Sequence, residues 1–265
     1  MSRDFTLLKY RGLLEALLAA GYVPVTMEEY CTAAHLPDRY VILRHDVDRL
    51  PQNSVRTAEI EHGLGIRASY YFRIVPESNQ PDRIRRIAAL GHEIGYHYED
   101  LALANGDAEQ AWQRFRDNLV YFRTFYPVRT ICMHGAPTNR YDGRDLWKNY
   151  DYRGQGIVGE PYFDVDFSKV LYLTDTGRCW DGYKVSVRDK IPRYQAQWER
   201  EGHTYHTTDE IINALRTNVL SAHVMLTTHP QRWAANNRQW IRELIAQTVK
   251  NRVKRVLVYA QTNRH

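Results

Sequence analysis

Only three cysteines occur in the 265 residues, Cys31, Cys132 and Cys179. They are odd in number, widely spaced and form no CxxC pair, so neither a zinc knuckle nor a disulfide framework is indicated. No apolar run approaches the ~20 residues that a membrane-spanning helix needs, and no membrane span is expected. Met1 to Thr6 lack the basic-then-apolar pattern of a secretory leader, which makes a reducing cytoplasm the expected setting. Repeats, low-complexity tracts and linkers are also missing. One domain over 1–265 is therefore expected, since α/β barrels commonly run to ~250 residues as a single unit. The net charge is +5, and Lys and Arg are spread along the chain with only short clusters such as Arg83–Arg86 and Lys250–Arg255. A dispersed excess of that size reads as a solvated surface, and no nucleic-acid partner is expected.

What is present is an ordinary globular composition, 43% hydrophobic and 25% charged, enough for a sizeable core. Leucines at helical spacing predict a helix over Thr6–Ala20 that stops at Gly21. Strands are expected at Tyr40–His45, Ala68–Arg73, His92–His97, Thr130–His134, Leu171–Asp175 and His223–His229. Helices are expected near Val55–Gly63, Arg83–Leu90, Asp107–Phe125, Thr208–Thr217 and Asn236–Arg252. Strands separated by helices imply βαβ units and a parallel sheet. Two long stretches, Ala136–Pro161 and Cys179–His206, read as loops, and loops of that length are usually functional.

Nearly every expected strand ends in a chemically capable residue: Asp46 and Asp48, Arg73, His97 and Glu99, His134, Asp175, His229. In parallel α/β folds the site lies at the carboxyl ends of the strands, where the following loops converge. Asp46 and Asp48, in Leu43-Arg44-His45-Asp46-Val47-Asp48, point to one side of a strand end. One acid can bind a cation while the other stays near its bound water; a turn or N-cap role is the alternative. In Gly91-His92-Glu93-Ile94-Gly95-Tyr96-His97-Tyr98-Glu99, His97 ends the strand, where a neutral imidazole can ligate a divalent metal. His92 starts that strand and reads as structural. Cys132-Met133-His134-Gly135 and Thr227-Thr228-His229-Pro230 each place a further histidine at a strand end. His229, with an ordinary pKa of ~6.5, suits a general acid.

The first two motifs, in this order on consecutive βα units, resemble the polysaccharide deacetylase (NodB-homology) family. Its first motif is acidic, of the TFDDG kind, and its second reads GHEIGNHTxxH, matched here by Gly91–Gly95 and His97. The combination of RHDVD, GHEIGYHYE, MHG and HPQRW looks like a WbmS-like offshoot associated with surface-polysaccharide loci. The resemblance implies an α/β fold, an incomplete (β/α) barrel with about seven parallel strands. It implies a hydrolase removing an acyl group, foremost N-acetyl, from a sugar, with a divalent metal: zinc, or alternatively cobalt, nickel or manganese. It implies Asp46 as catalytic base, Asp48 and His97 as metal ligands and His229 as general acid, with Asp175 orienting the catalytic pair. The family's second histidine ligand falls four residues after the first, and that position here is Leu101. Glu99, His134 or His229 could supply it, or the metal is bound more weakly. Arg73, Arg178 and Trp180 are candidates for substrate binding, and Tyr141, Trp147, Tyr150, Tyr152, Tyr162 and Tyr183 for stacking on sugar rings. With no leader, the expected substrate is a nucleotide- or lipid-linked precursor. A hydrolase of a small non-sugar amide and a non-catalytic carbohydrate-binding relative are the alternatives. The oligomeric state is left open.

Overall fold

The structure, a computed structural model, describes residues 3–135, 140–180 and 190–262, with side chains as far as Asn251. Seven strands follow one another as β1 (Val23–Val25), β2 (Tyr40–Val47), β3 (Ser69–Phe72), β4 (Glu93–Tyr98), β5 (Ile131–Met133), β6 (Leu171–Thr174) and β7 (His223–Thr228). Every pairing is parallel. The spatial order is β5-β4-β3-β2-β7-β6, with β1 beside the first half of β2. Among the described residues the edges β5 and β6 do not pair with each other; a parallel bridge from Thr130 to Gly159 covers part of the β5 edge. The chain is thus an α/β protein built on an incomplete, seven-stranded parallel barrel, as expected.

The helices that fill the crossovers include α1 (Leu7–Ala19), α2 (Met27–Thr32), α3 (Pro51–Gly63), α4 (Pro81–Ala89), α5 (Asp100–Leu103) and α6 (Ala108–Arg123). They continue with α7 (Pro161–Asp164), α8 (Pro192–Arg200), α9 (Thr208–Arg216) and α10 (Asn237–Thr262). Their starts follow the local chemistry. Proline opens α3 and α4, where its missing N–H costs nothing. Thr26 with Glu29 and Thr207 with Glu210 form capping boxes on α2 and α9, each satisfying two orphan donors.

Three short elements, β1, α2 and α5, were not expected from the sequence. Three residues with a proline at the centre carry no readable alternation, and β1 exists because β2 offers it an edge. The two expected long loops also contain structure: 3-10 turns at Gly143–Lys148 and Arg153–Gln155 followed by α7, and α8 in the second. Tyr183 lies outside the described residues.

Register decides which side chains enter the barrel. Arg44, Ser69 and Glu93 lie side by side, as do Asp46, Tyr71 and Gly95, and His97 stands beside Cys132. Alternation then sends His45 and Tyr70 to the helix side, where they stack at 4.2 Å. There the buried Glu61 of α3 accepts 2.6 Å bonds from Tyr70 and His45, and another from Tyr10 of α1. That cluster fastens α1 and α3 to β2 behind the two acids. Gly95 has a separate reason: a Cβ there would collide with the Tyr71 ring and come within 3.0 Å of the Thr130 carbonyl.

At the start of α5, buried Asp100 accepts from Tyr96 Oη at 2.7 Å and Asn118 Nδ2 at 2.8 Å. Burial, against those two bonds, pushes its carboxyl up to about 6 from 3.8. An acid raised in the native state holds its proton there while the unfolded chain has lost it. Stability is therefore fullest below the unfolded value and falls as pH rises through about 6. Asp100→Asn keeps a partner for both neighbours without the charge. It is expected to be more stable than the parent near neutral pH by ~2 kcal/mol, with the gap closing at acid pH. Urea denaturation at the two pH values checks this; an unchanged gap removes the assignment.

Candidate metal and acid–base site

The carboxyl ends of β2, β4, β5 and β7 bring one acid and three imidazoles together. Asp48 Oδ1 lies 3.7 Å from His97 Nε2 and 3.6 Å from His134 Nε2, and Asp48 Oδ2 lies 4.0 Å from His229 Nε2. All three rings present Nε2 because their Nδ1 atoms are engaged elsewhere. His97 Nδ1 donates to the Cys132 carbonyl at 2.9 Å, His134 Nδ1 pairs with Glu99 at 2.8 Å, and His229 Nδ1 pairs with Asp175 at 2.7 Å. A ring whose other nitrogen is held by a carbonyl or carboxylate is the usual metal-ligand arrangement.

The electrostatics agree with that geometry. Burial pushes His97 down to about 4, against the pull of Asp46, so it is neutral at physiological pH. Burial alone would raise Asp48, but His134, His229, His97 and Arg232 hold it well below the usual carboxylate range. Its Oδ1 is buried and, among the described residues, has no hydrogen-bond partner. A buried, ionised oxygen without a donor is costly, and a cation on it would remove that cost. The residues therefore fit a divalent metal held by Asp48, His97 and His134, an oxygen-and-two-imidazole set of the kind catalytic zinc takes.

Glu99 has a different place from that of a ligand. It receives a two-pronged ion pair from Arg73, with both bonds 2.8 Å, and the contact from His134. Burial would raise it, but His134 and Arg73 bring it down to about 2. Arg73 also reaches the Asp48 carbonyl at 3.4 Å. Arg73, the expected substrate arginine, is thus joined to His134 through Glu99. Leu101 is buried in α5.

Asp46 lies deeper, with both oxygens forked by the buried Arg44 at 2.8 and 2.7 Å, and Oδ2 3.7 Å from His97 Nε2. Among the described residues the set whose ligand-type atoms all lie within 4.8 Å of one another is Asp46, His97 and Cys132, not the set on Asp48. The set on Asp48 fits a cation better, because both Asp46 oxygens already face a guanidinium, whereas Asp48 Oδ1 faces only imidazoles.

On the Oδ2 side, Asp175 is fully buried. It accepts from the His229 backbone N–H at 2.9 Å, from Arg232 at 2.6 Å and from the Trp233 indole at 2.8 Å, besides the His229 ring. Burial and Arg232 disfavour the proton on His229, but Asp175 and Asp48 outweigh them and raise its pKa. Gln231, buried two residues on, donates to Asp48 Oδ2 at 3.0 Å and, among the described residues, leaves its Oε1 without a partner. The sequence held no sign of this; a glutamine two residues after a histidine has no chemical signature of its own.

Other expected ligand-binding residues lie elsewhere. Trp180 is 3% exposed, donates to Thr208 at 3.0 Å and packs between Phe5 and Trp233, so its ring offers no open face. Arg178 stacks over Phe5 and Trp240. Trp147 packs with Trp112, Phe115 and Tyr152, and Tyr150 stacks on Trp112. Tyr162 lies beneath Arg44 and Arg144, and Tyr141 beneath Arg140. A cleft of about 1300 Å³ between α1 and α9 contains none of the site residues, and we place the chemistry at the strand ends because the donors converge there.

No family model matches the chain, and no curated protein matches it. Among solved structures it is similar to a point-mutant form of the peptidoglycan deacetylase PdaC from Bacillus subtilis. The TM-score is 0.36 and the identity 11%, over 82% of this chain and 99% of that one. A likeness that distant says nothing of activity.

Proposed function

We propose that the protein is a metal-dependent hydrolase of the polysaccharide deacetylase type that removes an acyl group, foremost N-acetyl, from a sugar. The convergence of His97 and His134 on the unpartnered Asp48 Oδ1, opposite a buried Asp175–His229 pair, carries this reading. Asp48, His97 and His134 would hold the ion, zinc by its donor set. When bound, it supplies Lewis acidity to a water and to the acyl oxygen. Asp46 takes the proton from the attacking water, its carboxylate aimed by Arg44. His229 gives its proton to the departing amine or hydroxyl; it recovers a proton, and Asp46 loses the one it took, by exchange with solvent, and Asp175 favours the charged ring. Gln231 holds Asp48, and Glu99 with Arg73 holds His134.

The substrate we propose is a nucleotide- or lipid-linked precursor of a surface polysaccharide, handled in the cytoplasm; this rests on the motif set's resemblance to the WbmS-like branch. A small non-sugar amide is the second reading, favoured by the packing of Trp147, Tyr150, Tyr152 and Trp180 into the walls, which leaves few open rings for a sugar. The deciding experiment combines elemental analysis with acetate release from N- and O-acetylated sugars and from simple amides. About one metal per chain with release from the sugars supports the proposal. Metal without turnover on any acyl compound leaves only a binding protein.

A further inference from the structure

We propose that α10 is an interfacial helix that docks the protein on an anionic lipid surface beside the mouth of the site. The inference deepens the reading above only in its substrate class, a lipid-linked sugar; the docking itself does not depend on turnover.

The helix has two unlike sides. On one, Trp240 donates to the Asp4 carbonyl at 2.7 Å, Glu243 pairs with Arg49 at 2.9 Å and Asn251 donates to the Gly177 carbonyl at 2.8 Å. Glu243 and Gln247 are buried there. On the other, Ile241, Ile245 and Val249 recur every four residues and are 49, 61 and 59% exposed. Residues at that spacing form one stripe. Arg238 and Arg242 are exposed beside it.

The charge of the helix is nearly all of one sign. Over 237–262 the sequence carries Arg238, Arg242, Lys250, Arg252, Lys254 and Arg255 against the single acid Glu243. That acid is turned inward and already neutralised by Arg49. The helix thus holds an excess as large as the +5 of the whole chain. An apolar stripe among arginines is the pattern of a helix lying in a membrane interface, its aliphatic side chains among the acyl chains and its cations at anionic headgroups. A second copy is the poorer occupant, because two such faces would set arginine against arginine. Crossing the bilayer is not available: among the described residues no helix is long and apolar enough. The location gives the docking a use. Arg49 directly follows Asp48 and Gly177 lies two residues beyond Asp175, so α10 is anchored to the rim of the site.

The test is sedimentation of the full chain with vesicles of phosphatidylcholine alone and of phosphatidylcholine mixed with phosphatidylglycerol. Binding is expected to the mixed vesicles only and to weaken as salt is raised. Arg238→Glu with Arg242→Glu, and separately Ile245→Asp, are expected to lower partitioning roughly tenfold or more, with metal content and thermal midpoint unchanged. No binding to the anionic vesicles, equal binding to both kinds, or Ile245→Asp converting a dimer to a monomer in light scattering each overturns the proposal. Loss of the hydrolase reading leaves the vesicle result untouched, so the two fail separately.

Discussion

His134→Ala is expected to lose stoichiometric metal as completely as Asp48→Ala or His97→Ala. The three supply the converging atoms, and a set of one oxygen and two nitrogens cut to two ligands holds an ion poorly. Glu99→Gln tests the layer behind them. It keeps the ring of His134 in place but replaces a carboxylate forked by Arg73 and facing Nδ1 with a neutral amide. Removing such a partner typically weakens metal binding 10–100-fold, so Glu99→Gln should retain a weakened site. Competition with a chromogenic chelator measures both. If His134→Ala binds metal as tightly as the parent while Glu99→Gln does not, Glu99 is the ligand and the roles assigned above are reversed.

The second large effect is expected on the opposite side of Asp48. His229→Ala should lower kcat ~10²–10⁴-fold, the range for removing a general acid, without loss of metal. Asp175→Asn should act through the pH profile. Asp175, with Asp48, raises the His229 pKa against burial and Arg232. A general acid is active in its protonated form, so the parent loses activity as pH rises through that raised value. With the carboxylate gone, the same loss should begin at lower pH, and the alkaline limb of kcat should move toward acid. A profile that keeps its alkaline limb while overall activity falls would falsify the proton-donor role and leave Asp175 as a packing residue only. The asymmetry between the two sides makes the assignments separable: the Oδ1 side is read by metal affinity, the Oδ2 side by pH.

Much of the barrel was legible because each signal is local. Alternating strands and helices, each marked by its own periodicity, imply parallel crossovers, and chemically capable strand ends imply a shared mouth. Asp48, His97 and His229 could be picked out because they stand at such ends. Arg44 stands two residues before Asp46, on the same face of one strand, so its fork on that acid was implicit in the alternation. Trp180 illustrates the opposite: an aromatic in a polar stretch has the same letter whether it caps a substrate or fills the wall between Phe5 and Trp233.

By itself the sequence determined the class of fold, the end of the sheet where reactive groups gather and the acid-and-histidine character of that end. Only the tertiary structure decided where Glu99, His134 and His229 stand around Asp48. His134 faces Asp48 Oδ1, Glu99 turns back to Arg73, and His229 stands beyond Oδ2 on Asp175. The reason is geometric. These residues come from strands far apart in the chain, and which nitrogen of a ring points inward depends on the partner of its other nitrogen, a contact that only packing creates.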